Sequence, residues 1–118
     1  MFKRKISITD ITKKTAKFLS QHVKVDKLIL FGSYVSGRPD KYSDVDIAVI
    51  SEDFERMSIW DRISLFAKVP LAVDSRLELL GFSKKEYLKP ESASFLAFIK
   101  KKGKIVFSRK SCNGSKKG

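Results

Sequence analysis

The 118-residue chain has a single cysteine, Cys112, and a single histidine, His22, and this scarcity excludes several kinds of site. One cysteine cannot form an intrachain disulfide or a cysteine-based zinc site. One histidine leaves no His-rich metal centre and no Ser-His-Asp triad with a spare base. No apolar run approaches the roughly 18 residues of a membrane span, and the basic start MFKRKISITD lacks the apolar stretch of a signal peptide. We therefore expect a cytoplasmic protein with no membrane contact.

Acidic residues are also scarce, with 13 Asp and Glu against 25 Lys and Arg and a formal net charge of +12. From Lys100 to the end there are eight basic residues and no acid, so about two-thirds of the excess lies in this last part of the chain. Such a tail could contact nucleic acid, or it could be a solvated terminus. We expect one domain over residues 1–107, followed by a basic, flexible tail over 108–118.

Apolar periodicity and turn residues predict an alternation of helices and strands. The expected order of elements is an α/β (α+β) domain in which helices flank a mixed β-sheet. Within it, Pro70 is predicted to close an amphipathic helix whose Trp60 lies in the core. The predicted elements are a helix over about 8–22, strands over about 26–31 and 44–50, a helix over about 51–69, a strand over about 71–80, a short helix after Ser83, a helix ended by Gly103, and a last strand KIVFS.

Two aspartates stand close together in the predicted second strand, DVDIAVI. Because side chains alternate across a sheet, Asp44 and Asp46 point to the same face, about 7 Å apart along the chain. Like charges at this separation repel unless a positive group lies between them. A divalent metal ion would remove the conflict, and oxygen ligands without histidine or thiolate favour Mg²⁺ or Mn²⁺.

A Gly-Ser pair, Gly32-Ser33, ends the preceding strand. Glycine lets a phosphate approach the backbone closely, and backbone N–H groups with the serine hydroxyl can hold phosphate oxygens. The Gly-Lys-Ser/Thr ending of a Walker loop is absent, so a P-loop NTPase is not predicted. A triphosphate on this turn and a metal pair on the aspartates would form a phosphoryl-transfer site.

A metal pair usually needs a third carboxylate, and the segment AVDSRLE offers Asp74 and Glu78. If the whole segment is a strand, both lie on one face about 13 Å apart, so only one of them reaches the metals. Arg76, between them on that face, could neutralise either acid or touch a phosphate. The residues alone leave the choice between the two acids open.

The stretch GSYVSGRPDKYSDVDIAV resembles the signature of the nucleotidyltransferase superfamily that includes DNA polymerase beta and kanamycin nucleotidyltransferase. The short chain resembles the minimal nucleotidyltransferase (MNT) branch over about residues 26–107. This resemblance implies the nucleotidyltransferase fold, two Mg²⁺ ions and transfer of a nucleoside monophosphate from a triphosphate such as ATP to a hydroxyl. Many similar small proteins are antitoxins that pair with a HEPN-domain ribonuclease toxin, and some transfer AMP to a toxin tyrosine.

The resemblance also implies roles for individual residues. Gly32 and Ser33 would hold the triphosphate, and Asp44 and Asp46 would bind the metals. Glu78 would be the third catalytic and metal-binding acid, with Asp74 as the alternative. One position departs from the pattern: many relatives carry an arginine before the glycine of the turn that reads Val35-Ser36-Gly37 here. In this chain Arg38 follows the turn and would supply the charge from a shifted position.

Three functions follow from these observations, in decreasing order of support. The first is AMP transfer from ATP to a tyrosine of a HEPN toxin or a similar small helical protein, in a hetero-oligomer with that partner. The second is a non-catalytic antitoxin that masks its toxin by contact alone. The third is a nucleic-acid-binding module that uses the basic tail.

Overall fold

The computed structural model describes residues 7–32, 44–92 and 94–109 of the chain. Its centre is a four-stranded sheet in the order β3-β2-β1-β4. Strand β1 runs antiparallel to both β2 and β4, whereas β2 and β3 are parallel. The four strands are β1 Lys27–Phe31, β2 Val45–Ile50, β3 Leu77–Phe82 and β4 Lys104–Ser108.

Helices cover both faces of this sheet, and serines begin each of them. The side chains of Ser7 and Ser83 accept hydrogen bonds from backbone N–H groups three residues later, which satisfies donors at the helix start. Ser83 and Glu86 form a complete capping box, as the sequence predicts. The helices are α1 Ile8–Ser20, a 3₁₀ helix Glu52–Glu55, α2 Ile59–Ala72, α3 Lys84–Leu88 and α4 Phe95–Lys102.

The two faces of the sheet differ in how thickly they are covered. On the first face, alternate strand residues pack against α1, the 3₁₀ helix and α2, as Val45, Ile47 and Val49 do. The second face has a smaller cluster that includes Phe31, Ala48 and Ile99. The second face is therefore the thinner side, closed mainly by α4 with a contribution from α3.

The order of elements and the mixed sheet with flanking helices confirm the fold class predicted from the sequence. Several boundaries were wrong. The predicted helix over 51–69 consists of the 3₁₀ helix and α2, which are separated by residues 56–58. Pro70 does not close α2, because a proline removes only its own N–H donor; the Val73 N–H still reaches the Val69 carbonyl at 2.8 Å.

The predicted strand over 71–80 begins only at Leu77. Leu71 and Ala72 belong to the last turn of α2, and a turn follows them. In that turn the Asp74 carboxylate accepts a hydrogen bond of 2.9 Å from the Arg76 backbone N–H, a local bond that favours a turn over a strand. The alternating apolar residues that indicated one strand thus belong to a helix end, a turn and the start of β3.

Trp60 was predicted to lie in the core, and this was wrong, since 73% of it is exposed. Helix α2 directs Leu65 and Val69 into the core. Trp60 precedes Val69 by nine residues, about two and a half helical turns, so it lies on the opposite side of the helix. Phe54, from the 3₁₀ helix, fills the core instead and is 1% exposed.

No helix in the described part of the chain is both long enough and apolar enough to cross a membrane.

The contrast between two aromatic residues gives a stability prediction. Phe54→Ala should lower the free energy of unfolding by about 3–5 kcal/mol, because it empties a site in the core. Trp60→Ala should change it by less than about 0.5 kcal/mol, because the ring contributes little buried surface. Urea titration of both variants checks this. A loss for Trp60→Ala as large as that for Phe54→Ala would contradict the exposure of Trp60.

Candidate active site

Two carboxylates lie side by side on the thinner face of the sheet. Asp46 on β2 is the register partner of Glu78 on the parallel strand β3, so their backbones are about 4.8 Å apart. Both side chains share the face of Ala48, because the alternate residues Val45 and Ile47 point into the core on the other side. The pairing of β2 with β3 thus creates an acidic pair from residues that are 32 positions apart in the sequence.

Asp44 adds a third charge to this pair. It is exposed and directly precedes β2, two residues before Asp46. Burial raises the pKa of the Asp46 carboxyl, and the negative charges of Asp44 and Glu78 raise it further. The three acids are thus close enough to interact, and their interaction disfavours the charged form of Asp46.

The ion pairs found within the described part of the chain do not include these three acids. Lys24, Arg56, Arg76 and Arg109 form the ion pairs found there, each with an acid other than Asp44, Asp46 or Glu78. In residues 7–32, 44–92 and 94–109, no three acidic, His or Cys side chains converge as a ready set of ligands for one metal ion.

Gly32 is held against Asp46 by the fold. Its φ of +81° lies in the left-handed region, which residues other than glycine rarely adopt. A Cβ built at Gly32 would collide with the Asp46 carboxylate and would lie 3.2 Å from its Cγ. The preceding residue, Phe31, is the register partner of Asp46 across the antiparallel pair of β1 and β2. Glycine is therefore required both by the backbone and by the space that the carboxylate occupies.

Asp74, the alternative third acid, is already engaged by Arg76. The guanidinium Nε donates to Asp74 Oδ1 at 3.1 Å, and Nη2 donates to Oδ2 at 3.2 Å. These bonds hold the pKa of the Asp74 carboxyl below its ordinary value. The Arg76 carbonyl accepts a 2.8 Å hydrogen bond from the Val45 N–H, so the turn is tied to the start of β2. Asp74 thus has a structural role in the turn and lies on no strand with Glu78.

The structure places four of the predicted site residues together, namely Gly32, Asp44, Asp46 and Glu78. Two others, Ser33 and Arg38, lie outside the described residues. Sequence reasoning missed the direct contact of Gly32 with Asp46 and the position of Phe31 opposite that acid. The glycine at the end of an apolar run was the one sequence feature that pointed to the contact of Gly32 with Asp46. No local feature of the sequence indicated that Phe31 lies opposite Asp46.

The sequence profile of the nucleotidyltransferase domain matches residues 12–111. This chain therefore belongs to the nucleotidyltransferase domain family. No curated protein matches the sequence significantly.

Solved structures of similar fold include several from toxin–antitoxin pairs. A protein from Sulfolobus solfataricus, provisionally assigned as a nucleotidyltransferase, is 16% identical with a TM-score of 0.64, and the match covers 86% of this chain and 81% of that one. A chain of a toxin–antitoxin complex with AMP-PNP is 24% identical with a TM-score of 0.60 and coverages of 87% and 75%. At these identities the likeness shows the fold alone.

A third solved structure is a tri-AMPylated HEPN toxin of Shewanella oneidensis in complex with an MNT antitoxin. Its matching chain is 26% identical to this one with a TM-score of 0.53, and the match covers 84% of this chain and 71% of that one. With the family match, these neighbours confirm the resemblance to minimal nucleotidyltransferases that the sequence motif predicts.

Asp46→Asn should stabilise the metal-free protein at neutral pH. Because the pKa of Asp46 is raised in the folded state, the wild type loses stability as pH rises from about 4 through that raised pKa. The variant cannot ionise and escapes this loss. Solvent screens the half-buried group, so the gain should stay below about 1 kcal/mol.

Denaturant titration in EDTA at neutral pH and at about pH 3, where the carboxyls are protonated, measures this gain. The variant should exceed the wild type only at neutral pH. Glu55→Gln, at an exposed position away from the acids, is the matched control. A variant less stable than the wild type at neutral pH would show that the carboxylate is stabilised, against the pKa shift.

Gly32→Ala should destabilise the protein by more than about 1 kcal/mol, because alanine is strained at this φ and its Cβ meets the Asp46 carboxylate. Adding Asp46→Ala removes the carboxylate and leaves only a Cβ, 3.4 Å from the new methyl group, which is an ordinary contact. The double variant should recover part of the loss, which a double-mutant cycle of unfolding free energies measures. Strictly additive losses would show that the two residues do not meet.

Proposed function

We propose that this protein transfers AMP from ATP to a tyrosine hydroxyl of a HEPN-type ribonuclease toxin and thereby acts as its antitoxin. The observation that carries the proposal is the group of Asp44, Asp46 and Glu78 on one face of the sheet, beside Gly32. It occurs in a chain whose family is defined by nucleotidyl transfer.

The acidic group suits a divalent cation on chemical grounds. Its donors are carboxylate oxygens alone, which Mg²⁺ and Mn²⁺ prefer. Burial raises the pKa of Asp46, and the charges of Asp44 and Glu78 raise it further; a bound cation would relieve this repulsion between the acids. Asp44 and Glu78 are exposed, so their side chains can adjust to a ligand at little cost. We propose that these three residues hold two Mg²⁺ ions, which would neutralise charge that develops on the transferred phosphoryl group.

The residues of the chain would then act mainly by binding the triphosphate and holding it in position for the reaction. Gly32 allows the triphosphate to approach the backbone at the end of β1, and Ser33 and Arg38 are proposed to bind its oxygens. The tyrosine oxygen attacks the α-phosphorus in line, a new P–O bond forms, and the bond to pyrophosphate breaks. Glu78 accepts the proton that the tyrosine loses, as a general base.

Glu78 is a better candidate for the third acid than Asp74. It pairs in register with Asp46, and no basic residue in the described ranges forms an ion pair with it. Asp74 accepts two hydrogen bonds from the Arg76 guanidinium and one from its backbone N–H. Removing Asp74 from that pairing would leave the turn before β3 without its stabilising bonds.

Two observations favour a protein, rather than a small molecule, as the acceptor of AMP. The described residues form one sheet with its covering helices, so a second domain that could bind a small acceptor is not among them. The 26% identical neighbour was solved with a tri-AMPylated HEPN toxin, which supports both the transfer of AMP and the partner. We therefore propose that the active protein is a hetero-oligomer with its toxin.

The alternative, an antitoxin that acts by contact alone, is favoured by one observation. Helix α2 presents an exposed apolar stripe, formed by Ile59, Trp60, Ile63 and Leu71, of which Leu71 is 90% exposed. A stripe of this kind suits a protein partner and requires no chemistry. Binding and transfer are compatible, so the experiment must separate them.

The test is incubation of the protein with α-labelled ATP, Mg²⁺ and the product of the neighbouring gene. Label should appear on a partner tyrosine, and Asp44→Ala with Asp46→Ala should abolish it. Glu78→Gln should slow the transfer by about 100-fold or more, because the general base is lost. Asp74→Asn should retain most of the rate per folded molecule and should lower the melting temperature instead.

Thermal melts with and without Mg²⁺ provide a readout that does not depend on activity. Mg²⁺ should stabilise the wild type and leave the Asp44→Ala/Asp46→Ala variant unchanged. The proposal of transfer fails if the double variant protects cells from the toxin fully and neither protein labels the partner. That result would establish the contact antitoxin.

A further inference from the structure

Two aromatic rings lie exposed on the thinner face of the sheet. Phe95 and Phe98 on helix α4 are 54% and 51% exposed. Their rings are stacked, with centroids 6.1 Å apart and planes inclined by 9°. Adjacent apolar side chains left in water are unfavourable, and such a patch commonly marks a place where a ligand or partner binds.

The aromatic pair is next to the acidic group. The Phe95 ring contacts Phe31 edge to face, with centroids 5.6 Å apart. Phe31 is buried, directly precedes Gly32, and lies opposite Asp46 on the same face. Opposite side chains on antiparallel strands are about 5 Å apart at Cβ. Phe31 thus links the acids to the exposed rings.

We infer that Phe95 and Phe98 form a stacking platform for the base of the nucleoside triphosphate. The inference rests on the proposed function, since it concerns the nucleotide of that site. A nucleotide carries its phosphates at one end and a flat aromatic base at the other, with the ribose between. With the phosphates at Gly32 and the acids, the base extends to a surface about one side chain further on, where the two rings lie.

The surroundings of Phe95 provide room for a base. A cavity of about 440 Å³ opens beside it, and its apolar wall includes Phe82 and Leu96. This volume falls in the range of small-molecule sites, which are mostly apolar with a few polar groups. The polar residues of its lining are Glu86, Lys89, Glu91 and Ser94.

A nucleotide base explains these rings better than a protein partner does. The platform is continuous with the acidic group through Phe31, whereas the exposed stripe of α2 is not. That stripe belongs to a helix whose other side packs on the thicker face, the face opposite the acids. Among the described residues, the exposed rings of α4 therefore lie on the side of the acids, whereas the exposed stripe of α2 does not.

Stacking predicts a limited specificity. Every base has an aromatic face, so a stacking platform discriminates by the area of the base rather than by its hydrogen-bonding edges. Purine triphosphates should therefore bind more tightly than pyrimidine triphosphates, with ATP and GTP close together unless other residues read the base edge.

The experiment compares ATP with inorganic tripolyphosphate, which has the phosphates and lacks the base. Isothermal titration in the presence of Mg²⁺ should show a Kd for ATP raised about tenfold in Phe95→Ala and in Phe98→Ala, and more in the double variant. The Kd for tripolyphosphate should be the same in all of them. Phe95→Tyr should bind ATP as the wild type does, because it keeps the ring.

Trp60→Ala is the matched control, since it removes an exposed aromatic ring from α2 on the other side of the sheet. It should leave the Kd for ATP unchanged. If the double phenylalanine variant binds ATP as tightly as the wild type, the platform is disproved and the proposed transfer stands. If the wild type binds neither ATP nor tripolyphosphate, the proposed function fails and the platform fails with it.

Discussion

The in-register parallel pairing of β2 with β3 is the constraint on which the site depends. It sets Asp46 beside Glu78. Burial raises the pKa of Asp46, the charge of Asp44 raises it further, and the charge of Glu78, which this pairing brings close, adds to both. Strongly paired strands keep the carboxylates together because neighbouring core residues cannot shift register without turning every buried side chain to the wrong face. Packing on the thicker face thus maintains an unfavourable charge arrangement on the thinner one.

Much of the fold was predictable because its signals are local. Ser7 and Ser83 mark helix starts through bonds to residues three positions away, and alternation in β2 shows which side chains share a face. Local signals failed between residues 71 and 76, where the same apolar spacing fits a helix end and a strand. They also failed at Trp60, since the core-facing side of an amphipathic helix depends on what packs against it.

Only the part of the site that lies close together in the sequence was predictable from the residues. The spacing of Asp44 and Asp46 predicts that the two acids lie close together, and in the structure they are close enough for the charge of Asp44 to affect Asp46. The residues alone could not decide between Asp74 and Glu78, because the choice depends on the register of a distant strand; only the family resemblance favoured Glu78. The contact of Gly32 with Asp46 needs the same non-local information, because it arises only when β1 lies beside β2.

The unequal cover of the two faces has a consequence for evolution. Most of the core that holds the chain folded lies on the side of α1 and α2, while the acids and the α4 rings lie on the other. Substitutions of the acids and of the α4 rings are therefore expected to leave most of the core intact, and loss of the Asp46 carboxylate is expected to favour the fold. If the proposed transfer is correct, the fold would therefore permit a lineage to lose its catalytic acids and retain a folded protein that binds its partner.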